Sequence, residues 1–431
     1  MASIHHFEVL TSNLSHRVNQ FQSQFGFKVF AHSATSDQPT TVEGEGVALH
    51  INSVVMVIRG VKGVSPPNDW ISDVALHISS STQFDGLLER LQSTSDASVL
   101  RTSCTTDTPR PLAEGLLCPA GTGDNTRTKQ RKYFKVSSPF SSVCHTVICG
   151  ECSCKEGWRD GGEGEGIECL LGFVKCPLLY GEPCSSCSGR FDSSSLVSRP
   201  RDVSHVDHVT FACHTHSSDD ILKWYERHLG FQRLQINSKE DDNGFILDGS
   251  NGMRMLAMKY WQCSETTATL GGKDEKLVQL VFAEPLPNAG KNQVGTFLKQ
   301  NSGPGVQHIA FHTENIVGVV SNLRSNGVHF ITPPPEYYSL FEKMNEIRKA
   351  GESVDLLQEN NILIDFEEEE EKKKYLMQVF SHPLFDRETF FLEIIQRHGA
   401  AGFGAGNIIA LWKALEIHFR RNKTIGGHSG Y

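Results

Sequence analysis

The sequence has no apolar run near the roughly 20 residues that a membrane-spanning helix needs, which excludes a helical span. It has no excess of positive charge either. Its 41 Lys and Arg stand against 50 Asp and Glu, a formal net charge of −9. A general nucleic-acid binder needs the opposite balance, so no nucleic acid is expected as a partner. The opening MASIHHFEVL lacks a basic stretch followed by an apolar one and is not Arg-rich. Neither secretion nor a cleavable mitochondrial presequence is expected. The closing GGHSGY carries no prenylation box or retrieval signal. These absences point to an intracellular protein, cytoplasmic or mitochondrial. Cysteine is not scarce, but apart from Cys263 it runs only from Cys104 to Cys213. Without an export signal, reduced thiols are a better reading than a disulfide framework.

A chain of 431 residues is long enough for two or three domains. It reads as two related halves around an irregular middle. Ile4–Val9 alternates like a strand, and Phe25-Gly26-Phe27 follows about twenty residues on. Val206–Phe211 is the matching strand; Ile221–Arg227 has one apolar helical face; Leu229-Gly230-Phe231 follows it. Val74–His77 before a helix near Phe84–Leu91 matches Ile309–His312 before one near Ile316–Leu323. Internal duplication with an α+β fold is the simplest explanation. Tyr133–Val136 and Val143–Ile148 read as a strand pair. Glu367–Lys374 (EEEEEKKK) reads as a solvated hairpin turn between Ile362–Phe366 and Tyr375–Phe380, and Asn407–Arg421 as a closing helix. The expected domains are 1–150, a Cys/Gly/Ser-rich insertion and linker at 151–202, 203–421, and a tail at 422–431.

Three residues of the second half invite chemistry. His208 lies within a strand, His308 at the start of another, and Glu393 interrupts the apolar run Phe390–Ile395. A carboxylate there is costly unless paired or metal-bound. Two imidazoles and one carboxylate on one face of Fe(II) leave three positions open, the arrangement oxygenases use. Each residue also has a bland reading: a buried His is commonly a satisfied core residue, and Glu393 could pair with Arg397.

Three blocks resemble the 4-hydroxyphenylpyruvate dioxygenase family: Val206-Asp207-His208, Gly303–Phe311 (GPGVQHIAF), and the tail from Tyr375, which includes DRETFFLEIIQRHGAAGFGAGN. The resemblance covers about residues 203–421, while the first half matches only in outline. It implies two pseudo-repeated βαβββ vicinal-oxygen-chelate domains with open-barrel sheets and a C-terminal closing helix. It also implies one Fe(II) per subunit on His208, His308 and Glu393, in a homodimer, with no iron in the first half. The implied reaction joins O₂ to 4-hydroxyphenylpyruvate or a similar aromatic 2-oxo acid and releases CO₂. Oxidation of the ring gives homogentisate, and oxidation of the benzylic carbon gives 4-hydroxymandelate. Orientation of the substrate decides between them. Gln293, Gln307 and Gln378 match glutamines that orient the phenol and the ligand shell, and Phe380, Phe391 and Phe403 match phenylalanines that pack on the ring.

The sequence departs from the homogentisate-forming enzymes at four positions. Met255 stands for a serine, Ala283 for an asparagine, and Ile408 and Trp412 for two phenylalanines of the closing helix. Hydroxymandelate synthases resemble this chain in carrying Ile at the Ile408 position, and Ala283, Ile408 and Trp412 together resemble the "4-hydroxyphenylpyruvate dioxygenase-like" branch. Ala283, Ile408 and Trp412 are therefore read as substrate-pocket residues, with 4-hydroxymandelate as the expected product. Homogentisate is the alternative, and a non-catalytic binding protein on the same scaffold is an alternative of another class. Two further groups stand outside this scheme. His6, Asp73 and His145 fall near the positions of the triad in the first repeat, as a second metal site or a relic. Cys149-x-x-Cys152-x-Cys154 with Cys184-x-x-Cys187 offers a structural zinc site or a variable insertion.

Overall fold

The computed structural model describes residues 2–33, 43–61, 69–94, 99–103, 133–149, 173–175, 202–236, 240–247, 252–260, 278–287, 290, 292–368, 373–411, 413–414 and 417. Two nine-stranded sheets hold them. The first contains β1 (Ala2–Thr11), β2 (Lys28–Ser33), β3 (Glu43–Ile51), β4 (Val54–Val61), β5 (Trp70–Ile78), β6 (Val99–Ser103), β7 (Tyr133–Ser137), β8 (Cys144–Cys149) and β9 (Phe173–Lys175). The second contains β10 (Val203–Ala212), β11 (Phe231–Leu234), β12 (Phe245–Leu247), β13 (Met253–Tyr260), β14 (Gln279–Pro285), β15 (Gly305–Thr313), β16 (Leu363–Glu368), β17 (Lys373–Phe380) and β18 (Phe391–His398).

The first sheet runs β6-β7-β8-β5-β1-β4-β3-β2-β9, and the second runs β11-β13-β14-β10-β15-β18-β17-β16 with β12 on β13. Read in opposite directions the two orders coincide, apart from the additions β9 and β12. Within each half the first strand pairs parallel with the last of its own βαβββ unit, and the two units meet antiparallel along β1·β5 or β10·β15. Duplication and the α+β fold hold, with a pair of βαβββ units in each half. One expectation is corrected: Phe173–Lys175 lies in the stretch expected to be insertion and linker, yet pairs with β2 as an edge strand of the first sheet. Of the cysteines considered for zinc, Cys149 is buried in β8; Cys152, Cys154, Cys184 and Cys187 lie outside the described residues.

The repeated "GF" is a helix stop. The helix Leu14–Phe25 ends on Gly26 at φ 73°, and the helical segment ending at Leu229 is capped by Gly230 at φ 75°. Glycine enters this left-handed region without the penalty a Cβ brings. The phenylalanines that follow, Phe27 and Phe231, are buried. Helices Ser81–Gln92 and Ile316–Ser325 follow β5 and β15, capped by Ser80 and Asn315, whose side chains accept from the amides of Gln83 and Gly318. Strands β16 and β17 pair antiparallel, with Glu367 and Glu368 opposite Lys374 and Lys373. These four residues extend the strands instead of forming the expected turn, and residues 369–372 lie outside the described residues.

The halves meet through a continuous core. Phe140 of the first stacks on Phe211 of the second, with centroids 4.7 Å apart, and Phe211 continues onto Phe282. Beside this stack His145 donates from Nδ1 to the Val74 carbonyl at 2.9 Å. Its Nε2 is therefore the acceptor, and it takes the Tyr225 hydroxyl at 2.7 Å. Burial keeps this imidazole below its ordinary pKa and so neutral. Tyr225→Phe keeps the ring but strands a buried acceptor, and it is expected to cost about 1–3 kcal/mol. Urea unfolding of the variant against the native chain measures it.

Candidate metal centre

The site follows from two bulges in one strand pair. Between β10 and β15 the register runs Val206↔Phe311, His208↔Ala310, Thr210↔His308, Phe211↔Val306. Asp207 and Gln307 are the extra residues at these irregularities. A bulge re-aims side chains that strict alternation would send to the opposite face. Each extra residue thereby lies beside the imidazole that follows it. Asp207 Oδ1 is 2.7 Å from His208 Nδ1, and Gln307 Oε1 is 3.3 Å from His308 Nδ1. Both partners are oxygen acceptors, so Nδ1 carries a proton in each ring and the Nε2 atoms are the ones turned toward Glu393.

Glu393 completes the group from β18. It pairs with Ala310, the residue that also faces His208, so only a methyl group stands between these two ligands across the sheet. Each Nε2 is 3.4 Å from Glu393 Oε2. Two atoms each about 2.1 Å from one ion lie roughly 3–4 Å apart, so the spacing suits a shared cation. Among the described residues, His208, His308 and Glu393 are the three metal-ligand types gathered within 4.8 Å.

The surroundings test that fit. Glu393 is 2% exposed, and its Oε1 has no hydrogen-bond partner. Thr210 Oγ1 on β10 and Gln378 Oε1 on β17 are likewise buried and unpartnered. A buried polar atom left unpaired costs about 1–3 kcal/mol, so the free oxygen of Glu393 suits a polar guest. Burial by itself would lower His208; Glu393 and then Asp207 outweigh it and push the imidazole up to about 9. Burial dominates at His308 and lowers it. Burial would raise Glu393, but the two imidazoles hold its carboxyl below the ordinary value. The Asp207 carboxyl, which burial would also raise, is held far down by Arg397. Arg397 binds both Asp207 oxygens at 2.7 Å. That pairing neutralises Asp207 and leaves Glu393 as the carboxylate free to face a cation. The donor set, its charge and its spacing fit a divalent metal ion.

The aromatic residues read as pocket form a sleeve around the imidazoles. Phe403 meets His208 edge-on at 5.0 Å; Phe391 stacks on His308 at 4.8 Å; Phe380 meets it at 6.2 Å. Ala283 is buried in an apolar cluster with Met255, Ala212 and Phe403, and Ile408 packs against it. Gln307 and Gln378 are buried, whereas Gln293 is exposed at the first turn of the helix Gln293–Gln300. The Trp412 side chain lies outside the described residues. Arg397 does not pair with Glu393, the bland alternative; it pairs with Asp207. Sequence reasoning missed Asp207 as a partner of His208. An acidic residue directly before a strand histidine was the available signal.

The first repeat has both irregularities, at His5 and at Ser72, so His6 and Asp73 do correspond to His208 and His308. His145 does not correspond to Glu393. The β5·β8 register gives that place to Thr146, one residue on, while His145 faces Tyr225. Asp73 accepts from the Thr146 amide and hydroxyl and from Lys135 Nζ at 3.0 Å. A lysine ammonium is the cation here, which argues against a second metal site.

His308→Ala is expected to lower bound divalent metal from about one ion per chain to near zero. Elemental analysis after loading and desalting measures it.

Residues 207–340 match the sequence model of the Glyoxalase/Bleomycin resistance protein/Dioxygenase superfamily. The human 4-hydroxyphenylpyruvate dioxygenase-like protein is 39% identical over 257 residues, 57% of this chain and 62% of the human one. The pig 4-hydroxyphenylpyruvate dioxygenase is 35% identical over 213 residues, 49% of each chain. The matched region thus spans about half to three-fifths of these relatives. A solved triple variant of 4-hydroxymandelate synthase from Streptomyces coelicolor aligns over 97% of this chain and 98% of its own, with a TM-score of 0.65 and 22% identity. The bulged strand pair and the βαβββ units of the second half thus accompany a likeness, over residues 207–340, to the glyoxalase/bleomycin resistance protein/dioxygenase superfamily.

Proposed function

We propose that the protein is an Fe(II)-dependent dioxygenase that converts 4-hydroxyphenylpyruvate, or a similar aromatic 2-oxo acid, and O₂ to 4-hydroxymandelate and CO₂. The observation that carries the iron reading is the triad itself: two inward-facing Nε2 atoms and one carboxylate oxygen, held by buried partners. Iron held by His208, His308 and Glu393 would supply the Lewis-acid and redox chemistry that brings a 2-oxo acid and O₂ together.

The chain's own residues do the rest. Asp207 and Gln307 fix the tautomer and direction of the two ligand rings. Phe403, Phe391 and Phe380 keep water from the ligand atoms and offer flat surfaces to an aromatic substrate. Gln378 Oε1, buried and unpartnered, suits the hydroxyl of a phenol, which would donate to it. Gln293 is part of the same proposal as a residue that orients the substrate once it is bound.

The product preference rests on Ile408. It packs on the cluster that contains Ala283, Met255 and Phe403, so it forms part of the wall next to the ligand His208. Met255 and Ala283 offer no hydrogen bond. Such a wall constrains the substrate ring by shape, and a branched aliphatic group leaves a flat ring less room to turn its face toward the reacting centre. The benzylic carbon is then the atom best placed for oxidation.

Anaerobic loading with Fe(II) and 4-hydroxyphenylpyruvate, then admission of O₂ and chromatography of the products, tests this. The expected result is 4-hydroxymandelate, with one CO₂ released per O₂ consumed. Homogentisate alone would reverse the product assignment. No oxygen uptake with any aromatic 2-oxo acid, despite stoichiometric iron, would favour a binding role. Ile408→Phe is expected to raise the homogentisate share, since a pocket-wall change is worth on the order of 1–3 kcal/mol between competing outcomes.

A further inference from the structure

Residues 399–411 follow β18 and bring Phe403 onto His208. Charged groups of β16 hold this segment. Glu367 accepts from the Ala401 amide at 3.2 Å and from the Gly402 amide at 2.6 Å, and Asp365 accepts from the Gly406 amide at 3.0 Å. Behind it Asn407 Oδ1 accepts the Tyr337 hydroxyl at 2.7 Å and Lys343 Nζ at 3.2 Å. The glycines allow this closeness. A Cβ on Gly404 would lie within 2.6 Å of three side-chain atoms of Gln378, and one on Gly406 would lie 2.1 Å from Asp365.

One residue joins this segment to the triad. Arg397 uses Nε and Nη2 for the two oxygens of Asp207, whose Oδ1 also accepts from His208 Nδ1. Its Nη1 donates to the carbonyls of Ala400, at 3.1 Å, and of Gly402. The guanidinium also lies over the Phe403 ring, 5.5 Å from its centroid. The same planar group therefore satisfies the carboxylate that orients a ligand and two carbonyls of the closing segment. If the segment lifts, Arg397 loses two acceptors and a ring contact, and nothing holds its plane against Asp207 from that side. If His208 swings, Asp207 and then Arg397 shift under the segment.

We propose that Arg397 is a positioning residue that couples metal binding to seating of the closing segment, so that a bound ion and residues 399–406 stabilise each other. This rests on the reading of His208, His308 and Glu393 as a metal site. Coupling of this kind is reciprocal, so it can be measured from either end.

The test uses the full chain and Co(II) alone, with no substrate. Binding is followed by Co(II) titration, and segment seating by amide hydrogen exchange with and without Co(II). Wild type is expected to bind one ion per chain and to slow exchange at 399–406 when loaded. Glu367→Ala touches no ligand and sits at a strand end. It is expected to speed exchange there and to weaken Co(II) several-fold. Arg397→Lys keeps the charge but not the fork, and it is expected to weaken Co(II) about 10–100-fold, the range typical of outer-shell partners. Tyr225→Phe, which destabilises the chain at a distance, should leave Co(II) affinity unchanged. Unaltered exchange at 399–406 on loading, with wild-type affinity in Glu367→Ala, would overturn the coupling while leaving the metal site standing. A wild-type chain that binds no Co(II) would overturn the site and the coupling together. Arg397→Lys could misfold, but the wild-type exchange and Glu367→Ala decide the question without it.

Discussion

A carboxylate at 2% exposure with one oxygen unbonded is the most demanding feature of this molecule, and much of the second half is arranged around it. Glu393 lies in an apolar strand, where an ionised side chain without a partner would cost several kcal/mol. The neighbours answer that demand in a definite way. Two imidazoles face it, each with its outward nitrogen already committed, and Arg397 removes the competing charge of Asp207. Glu393 is held ionised between the two imidazoles, and its second oxygen is left for a positive guest.

The first repeat shows the other way of meeting the same demand. Both irregularities of the central strand pair persist there, yet Asp73 takes the place of the second histidine and Lys135 supplies the charge. There the cation beside the carboxylate belongs to the chain itself. That half contributes Phe140 and His145 to the shared core. The same backbone thus supports two solutions, and a few side chains decide between them.

Much of this was legible in the residues. Alternation and the repeated "GF" located the central strands and helix stops, because period and glycine leave local signatures. His208, His308 and Glu393 stood out as polar groups in apolar strands, and the resemblance of their three blocks to a known family is what implied a ligand set. What stayed hidden depends on register and on distant pairing. A bulge has no sequence signature, so nothing in the residues paired Asp207 with His208, and His145 seemed to match Glu393 when Thr146 does. Arg397 and Asp207 are 190 positions apart, and only the folded sheet joins them. Glu367 read as part of a solvated charge run, yet its carboxylate holds the backbone of Ala401 and Gly402.

The alternation in Gly402-Phe403-Gly404-Ala405-Gly406 divides the freedom of this segment to change. Gly402, Gly404 and Gly406 press against Glu367, Gln378 and Asp365, where any side chain would collide. Phe403 and Ala405 belong instead to the apolar cluster of the pocket, which Ile408 joins one turn later. Descendants of this chain can therefore revise what the pocket accepts only at every second position here. The intervening glycines act as a fixed hinge plate, and altered selectivity can accumulate on one edge of the segment without unseating the other.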